Sequence, residues 1–185
     1  MNDAPPVLFY SGSLQLLERP AVGICGARNV STEGLRAAAA CGELAAMQGI
    51  VSVSGYARGV DTATHAASLK AGGATIIVLP EGINHFRVKK NVVGEVWDQS
   101  RALVVSQFAP TQTWSAGAAM TRNSIIIGLS MALVVVEAGE KGGTLAAGTK
   151  VLSVRGRVLA LEFSSMPIGN KMLVDKGAYS CSQPR

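Results

Sequence analysis

Ser54-Gly55-Tyr56-Ala57-Arg58-Gly59-Val60-Asp61-Thr62-Ala63-Thr64-His65 follows an apolar run, turns on two glycines around an arginine and starts a helix. The run Ile50 to Val53 has strand character, and Gly55 and Gly59 let the backbone approach a guest closely. Asp61 opens an Ala-rich helical pattern whose free N–H groups and positive dipole end face the turn, so the stretch reads as an anion cradle suited to phosphate. It matches neither G-x-G-x-x-G nor G-x-x-x-x-G-K-[ST], and an ordinary strand-to-helix connection would need glycines too. The same construction recurs along the chain, which favours the cradle.

Upstream, Ala21 to Cys25 predicts a strand, Gly26-Ala27-Arg28-Asn29 a turn, and Ser31 the N-cap of a helix to Gln48 with Leu35, Ala39, Gly42 and Ala46 on one face. Before it, Pro5-Pro6 leads into a short extended segment, Val7 to Tyr10, and a turn at Ser11-Gly12-Ser13. Downstream, Thr75 to Leu79 is an uninterrupted apolar strand, as in a parallel sheet covered on both faces. A long loop, Pro80 to Lys90, precedes a helix over Asn91 to Arg101 and a strand over Ala102 to Val105. A second long loop, Ser106 to Ala118, leads to a helix capped by Thr121 and ending at Leu129. Ala132 to Val136, a Gly139 to Gly143 turn, a helix over Thr144 to Val154, Val158 to Leu161 and a last helix over Gly169 to Gly177 complete the alternation. Six strands alternating with helices predict an α/β, extended Rossmann-like, doubly wound and mostly parallel sheet with helices on both faces. We expect one domain over 1–185, with residues 1–20 packing on it as an extension.

The chain has 185 residues, 48% of them hydrophobic, and a mean hydropathy of +0.30, enough for a full core and no sign of disorder. Ile125 to Val136 is too short to span a bilayer, and Met1-Asn2-Asp3-Ala4 lacks the regions of a signal peptide, so a cytoplasmic protein is expected. Three scattered cysteines without C-x-x-C predict reduced, packed thiols, and with two histidines neither metal nor cofactor is expected. The net charge of +5 permits a polyanionic partner.

In a doubly wound sheet the strand C-termini share one edge, and ligands bind where the strand order reverses. The turns arriving there supply Gly26 and Arg28, then Ser54, Gly55 and Arg58, then Lys89 and Lys90, then Arg122 and Asn123, then Gly143 and Thr144. The rim is net basic and glycine-rich. Arg87-Val88-Lys89-Lys90 is the densest cluster, although a solvated loop would also explain it. Phe86 and Trp114 are the aromatics available for base stacking; with aromatics at 5% of the chain, charge-dominated binding with little sequence preference is expected. His65 reads as a buried histidine bonded to backbone.

The motifs Pro5-Pro6-Val7-Leu8-Phe9-Tyr10-Ser11-Gly12, Gly26-Ala27-Arg28, Ser54 to Asp61 with His65, Arg122-Asn123 leading to Ser130, Val136-Glu137-Ala138, and Gly169-Asn170-Lys171-Met172-Leu173-Val174-Asp175-Lys176-Gly177-Ala178 resemble, in order, the DprA/Smf DNA-processing family. That resemblance implies a Rossmann-like domain that binds single-stranded DNA through backbone phosphates and loads the RecA recombinase during natural transformation. It implies DNA contacts at Arg28, Lys89 and Lys90, with Asn91 in the same basic loop and Arg122-Asn123 in the same pocket. It also implies a homodimer through Met172, Leu173 and Val174. The chain departs from the family pattern in having Arg87-Val88 ahead of Asn91 instead of a tyrosine-proline pair, Ser124 in place of the second arginine of R-N-R, and Gly142-Gly143-Thr144 for Ser-Gly-Ser. No winged-helix or SAM-like accessory domain is expected.

Two other functions compete. The glycines of Gly142-Gly143-Thr144 resemble the P-G-G-x-G-T-x-x-E turn of phosphoribohydrolases, or of a nucleotide sensor, but the residue three beyond Thr144 is Ala147, where the hydrolase has its glutamate. Glu81 and Glu137 are the rim acids that would have to replace it. A DprA-like regulator in a defence or toxin system shares every feature of the DNA-binding alternative.

Overall fold

The computed structural model describes residues 4–90 and 93–182. Its centre is an eight-stranded sheet in the order β1-β5-β4-β3-β2-β6-β7-β8. The strands are β1 (Phe9–Gly12), β2 (Ala21–Cys25), β3 (Val51–Ser54), β4 (Thr75–Val78), β5 (Ala102–Ser106), β6 (Leu133–Val135), β7 (Val158–Glu162) and β8 (Tyr179–Ser182). All neighbours pair in parallel except β1, which runs antiparallel to β5 with Phe9 opposite Ser106. The six expected strands are all present. Part of the N-terminal extension joins the sheet as β1, and the chain after the last helix adds β8. The extended segment expected over Val7 to Tyr10 overlaps β1, but neither edge strand is legible as part of the sheet, because short strands with mixed polarity give no buried run.

The connecting helices are α1 (Thr32–Met47), α2 (Val60–Lys70), α3 (Ala116–Thr121), α4 (Asn123–Gly128), α5 (Gly143–Ser153) and α6 (Ile168–Asp175). Strand residues alternate between two buried layers: Val51, Val53, Ile76, Val78, Leu103 and Val105 face Ile125, Val151 and Leu173 of α4, α5 and α6. On the opposite face Ile24 meets Ala37, Ala38 and Cys41 of α1 and Val60 of α2. Ile77 and Val104 on that face are covered by Tyr56, Phe86 and Trp97 from the loops. Covering both faces is why these strands read as continuous apolar runs.

Three local expectations are corrected. The buried stripe of α1 is Gly34, Ala37, Ala38, Cys41, Gly42 and Ala45, while Leu35 is 41% exposed. A Cβ on Gly42 would lie 2.5 Å from the Thr64 carbonyl oxygen, so the close approach of α2 selects the face and not the largest apolar side chain. Within the expected 91–101 helix, residues 93–96 form turns and only Gln99–Arg101 a short 3-10 helix; Asn91 lies outside the described residues. There Trp97 is held on the Phe86 ring at 5.6 Å, and Asp98 accepts from the Ser100 backbone N–H at 2.9 Å, which stops helical propagation. Thr121 is not an N-cap: its hydroxyl donates back to the Gly117 carbonyl, and Ser115 caps α3 by accepting from Ala118 N–H. Among the described residues no helix is long and apolar enough to cross a membrane.

Candidate nucleic-acid interface

The strand order reverses between β2 and β6, and the turns leaving their C-terminal ends build the rim. Ala27 N–H donates to the Glu137 carbonyl at 2.8 Å, which ties the turn after β2 to the turn after β6. Gly59 has φ +88°, and a Cβ there would meet the Ala27 carbonyl oxygen at 2.5 Å, so only glycine lets the turn after β3 lie on the turn after β2.

Two adjoining cavities open between these turns. The larger, about 510 Å³, is bordered by Gly26, Arg28, Ser54, Gly55, Arg122, Asn123, Gly143 and Thr144. The smaller, about 260 Å³, takes Arg58 and shares Arg28, Ala57, Trp114 and Arg122 with the first. Residues from four separate turns that the sequence marked thus converge on one rim. Arg28 is exposed and its guanidinium carbon lies 5.5 Å from the centroid of the Trp114 ring, a cation–π distance.

The cradle itself is corrected. Asp61 occupies the start of α2 with its own carboxylate, which accepts from Ala57 N–H at 3.2 Å and is 93% removed from solvent. Burial raises its pKa, and the Arg122 guanidinium is the main opposing influence. A Cβ on Gly55 would sit 2.3 Å from Arg122 Nη1 and 2.4 Å from Asp61 Oδ2, so Gly55 is a glycine because two buried charged side chains lie against it. The start of α1 is likewise filled: Ser31 caps Gly34 N–H at 2.9 Å, and Glu137 accepts from the Ser31 hydroxyl at 2.7 Å. The start of α5 differs. Gly142 has φ +114° with no side-chain cap, nothing lies within 4 Å of where its Cβ would be, and Lys141 borders the same cavity.

Arg122 is buried, not displayed: it is 7% exposed, donates through Nη1 to the Val78 carbonyl and through Nε to Asn123 Oδ1 at 3.1 Å. Burial lowers its pKa against the pull of Asp61, yet a guanidinium stays charged. Lys89 is folded onto Tyr56, its Nζ donating to the Tyr56 carbonyl and lying 4.2 Å from the ring centroid, while its backbone N–H donates to the phenol oxygen at 2.9 Å. Burial lowers the Lys89 pKa, with Asp61 and Glu81 opposing. Lys90 is exposed and borders neither cavity.

His65 is fully buried, with Nε2 2.8 Å from the Gly55 carbonyl oxygen and Nδ1 2.6 Å from Thr75 Oγ1. A carbonyl only accepts, so Nε2 carries the proton, while Nδ1 lies against the Thr75 hydroxyl, which also reaches the Ser52 carbonyl at 2.9 Å. Burial pushes its pKa down to about 4, so the ring is neutral and fastens the Gly55 turn. Cys25 touches the larger cavity, but burial raises its thiol pKa far above the ordinary value, which leaves it protonated.

Two residues carry more than their sequence signal showed. Asn170, fully buried, accepts from Ala138 N–H at 2.8 Å and donates to the carbonyls of Val136 at 3.0 Å and Leu161 at 2.9 Å, clamping the turn after β6. Leu173, expected at a dimer interface, is 0% exposed and packs on Gly148 of α5; Met172 and Val174 are half-buried. An apolar residue on a short helix looks the same in sequence whether it faces its own core or a second copy.

A doubly wound sheet with basic, glycine-lined cavities at its reversal point defines a Rossmann-like protein. The chain belongs to the DNA recombination-mediator protein A family, whose model matches residues 1–185. It is 33% identical over 187 residues to the DNA processing protein DprA of Streptococcus pneumoniae, covering 95% of this chain and 63% of that protein. The chain therefore spans less than two thirds of that relative. The solved structure of DNA processing protein A from S. pneumoniae superposes with a TM-score of 0.89 at 32% identity, over 99% of this chain and 65% of that one. DNA processing protein A from Helicobacter pylori, solved to describe its single-stranded DNA binding mode, shares the fold with a TM-score of 0.85 at 24% identity, over 97% of this chain and 84% of that one.

Proposed function

We propose that the chain binds single-stranded DNA at the two cavities, without catalysing a reaction on it. The observation that carries this is the convergence of Arg28, Arg58, Arg122 and Trp114 on one rim, in a member of a family that includes a relative solved for its single-stranded DNA binding mode. Backbone phosphates lie against Arg28, Lys141 and the uncapped start of α5 at Gly143 and Thr144. A base stacks on Trp114. Gly26, Ser54 and Gly55 shape the wall and Asn123 lines it, whereas Arg122 holds the floor through its bond to the Val78 carbonyl. Lys89, Lys90 and Asn91 extend the positive field beyond the cavities.

Ala147, 7% exposed, lines the larger cavity where a phosphoribohydrolase would need a carboxylate, which supports binding over hydrolysis. RecA loading and pairing of two copies through the C-terminal part of the domain are part of the same proposal, with Met172 and Val174 in place of Leu173 at the surface. The test is a titration of labelled oligo-dT by the wild-type chain and Arg28→Ala. Binding that weakens about tenfold in the variant is expected for loss of one charge-assisted contact. Equal affinity would remove Arg28 from the site, and no binding by the wild type would overturn the proposal.

A further inference from the structure

The smaller cavity carries a carboxylate where a phosphate site would not. Glu81 borders it together with Tyr56, Pro80 and Trp114 and with Arg28, Arg58 and Arg122, so aromatic rings and charged groups share its walls. Of its arginines, Arg122 is bonded to Val78 and Asn123 and Arg28 lies over one side of Trp114, while Arg58 is exposed on its border. The main chain at Glu81 is fixed, since Ser106 Oγ donates to the Glu81 carbonyl at 2.6 Å and Gly82 N–H donates to the Gln112 carbonyl at 2.8 Å. Among the described residues its carboxylate receives no hydrogen bond, and Lys89, folded onto Tyr56, is the lysine whose charged form it favours. A negative group standing on a basic rim repels phosphate and lowers affinity for the strand unless it meets a donor. A volume of about 260 Å³ with Tyr56 and Trp114 on its border suits one base.

In an unpaired strand the Watson–Crick edge of a base is free to meet such a group. Guanine presents a ring N–H and an exocyclic amino group side by side, which matches the two oxygens of a carboxylate. Thymine flanks its ring N–H with two carbonyl oxygens that a carboxylate repels, and adenine and cytosine set one amino donor beside an acceptor nitrogen. We infer that the smaller cavity is a base pocket in which Glu81 selects guanine from the bound strand. This rests on the DNA-binding proposal and goes beyond it, because charge-dominated binding alone carries no base preference.

The test is fluorescence anisotropy at one fixed salt with three labelled twelve-nucleotide strands: oligo-dT, the same strand with one central deoxyguanosine, and the same strand with deoxyinosine there. The wild-type chain should bind the guanine strand about fivefold more tightly than oligo-dT, the low end of what a bidentate base contact gives. The inosine strand, which keeps the ring N–H and lacks the amino group, should fall between them. Glu81→Ala and Glu81→Gln should bind guanine and thymine strands alike, and oligo-dT at least as tightly as the wild type. Equal wild-type affinities, or a guanine preference that survives both substitutions, would overturn the inference while leaving the DNA-binding proposal intact. Failure of the wild type to bind any strand would instead overturn that underlying proposal.

Discussion

Arg28 and Arg122 look alike in the sequence and differ in what removing them does. Arg28 is exposed, so Arg28→Ala should change stability by less than about 0.5 kcal/mol while weakening strand binding. Arg122→Ala removes the buried bonds to the Val78 carbonyl and Asn123 and the positive charge that opposes the burial of Asp61, and should cost about 1.5–3 kcal/mol in urea unfolding. Equal stability losses in the two variants would contradict this division. Sequence reasoning found both arginines because a turn arginine is conspicuous. The burial of Arg122 leaves no local trace, because the groups beside it, Val78 and Asp61, lie 44 and 61 positions earlier, and Asp61 reads as a helix start.

His65 yields a pH prediction at the same scale. Its pKa is about 4 in the fold against an ordinary 6.5, so between those values the unfolded chain binds a proton that the native chain does not. Stability therefore rises with pH across that window and is lost as pH falls from 6.5 toward 4, by about 3 kcal/mol in all. Asp61 acts in the opposite sense, because its raised pKa makes stability fall as pH climbs above 3.8. A His65→Gln variant keeps the shape of a donor to Gly55 and does not titrate. Subtracting its urea midpoints from the wild type's across pH 4 to 6.5 should isolate the histidine slope, and identical pH dependence in both proteins would exclude it.

At the scale of elements, apolar strands between helical patterns were legible because burial of both sheet faces writes itself as continuous Val, Ile and Leu. What was not legible depends on a distant neighbour: the stripe of α1 chosen by contact with α2, the turns at 93–96 set by Trp97 on Phe86, and the capping of α1 by a carboxylate that follows β6. Helix α6 shows the consequence. Leu173→Ala should lower stability by about 2–5 kcal/mol through the cavity it leaves beneath Gly148, at any protein concentration. Ile168→Ala, at a side chain 61% exposed on the same helix, should change it by less than about 0.5 kcal/mol. If Leu173→Ala were harmless to the folded chain and acted only on association measured by sedimentation, the packing described for α6 would be wrong.

Across the whole molecule, the source of positive potential on the rim is its side chains more than its helix dipoles, since Asp61 and Glu137 already answer two of the three helix starts there. The net charge of +5 is a property of the whole chain, so total charge alone would predict loose attachment anywhere. Convergence predicts something narrower. If strand phosphates are neutralised by Arg28, Arg58 and Lys141, log K should fall against log salt with a slope of roughly −2, from about −0.7 for each single-strand phosphate. Arg28→Ala and Lys141→Ala should each flatten the slope by about 0.7. Arg157 precedes β7 and so stands at the opposite end of the sheet, and Arg157→Ala removes the same charge while leaving the slope unchanged. A slope that responded equally to all three substitutions would mean that the strand reads net charge and not this rim.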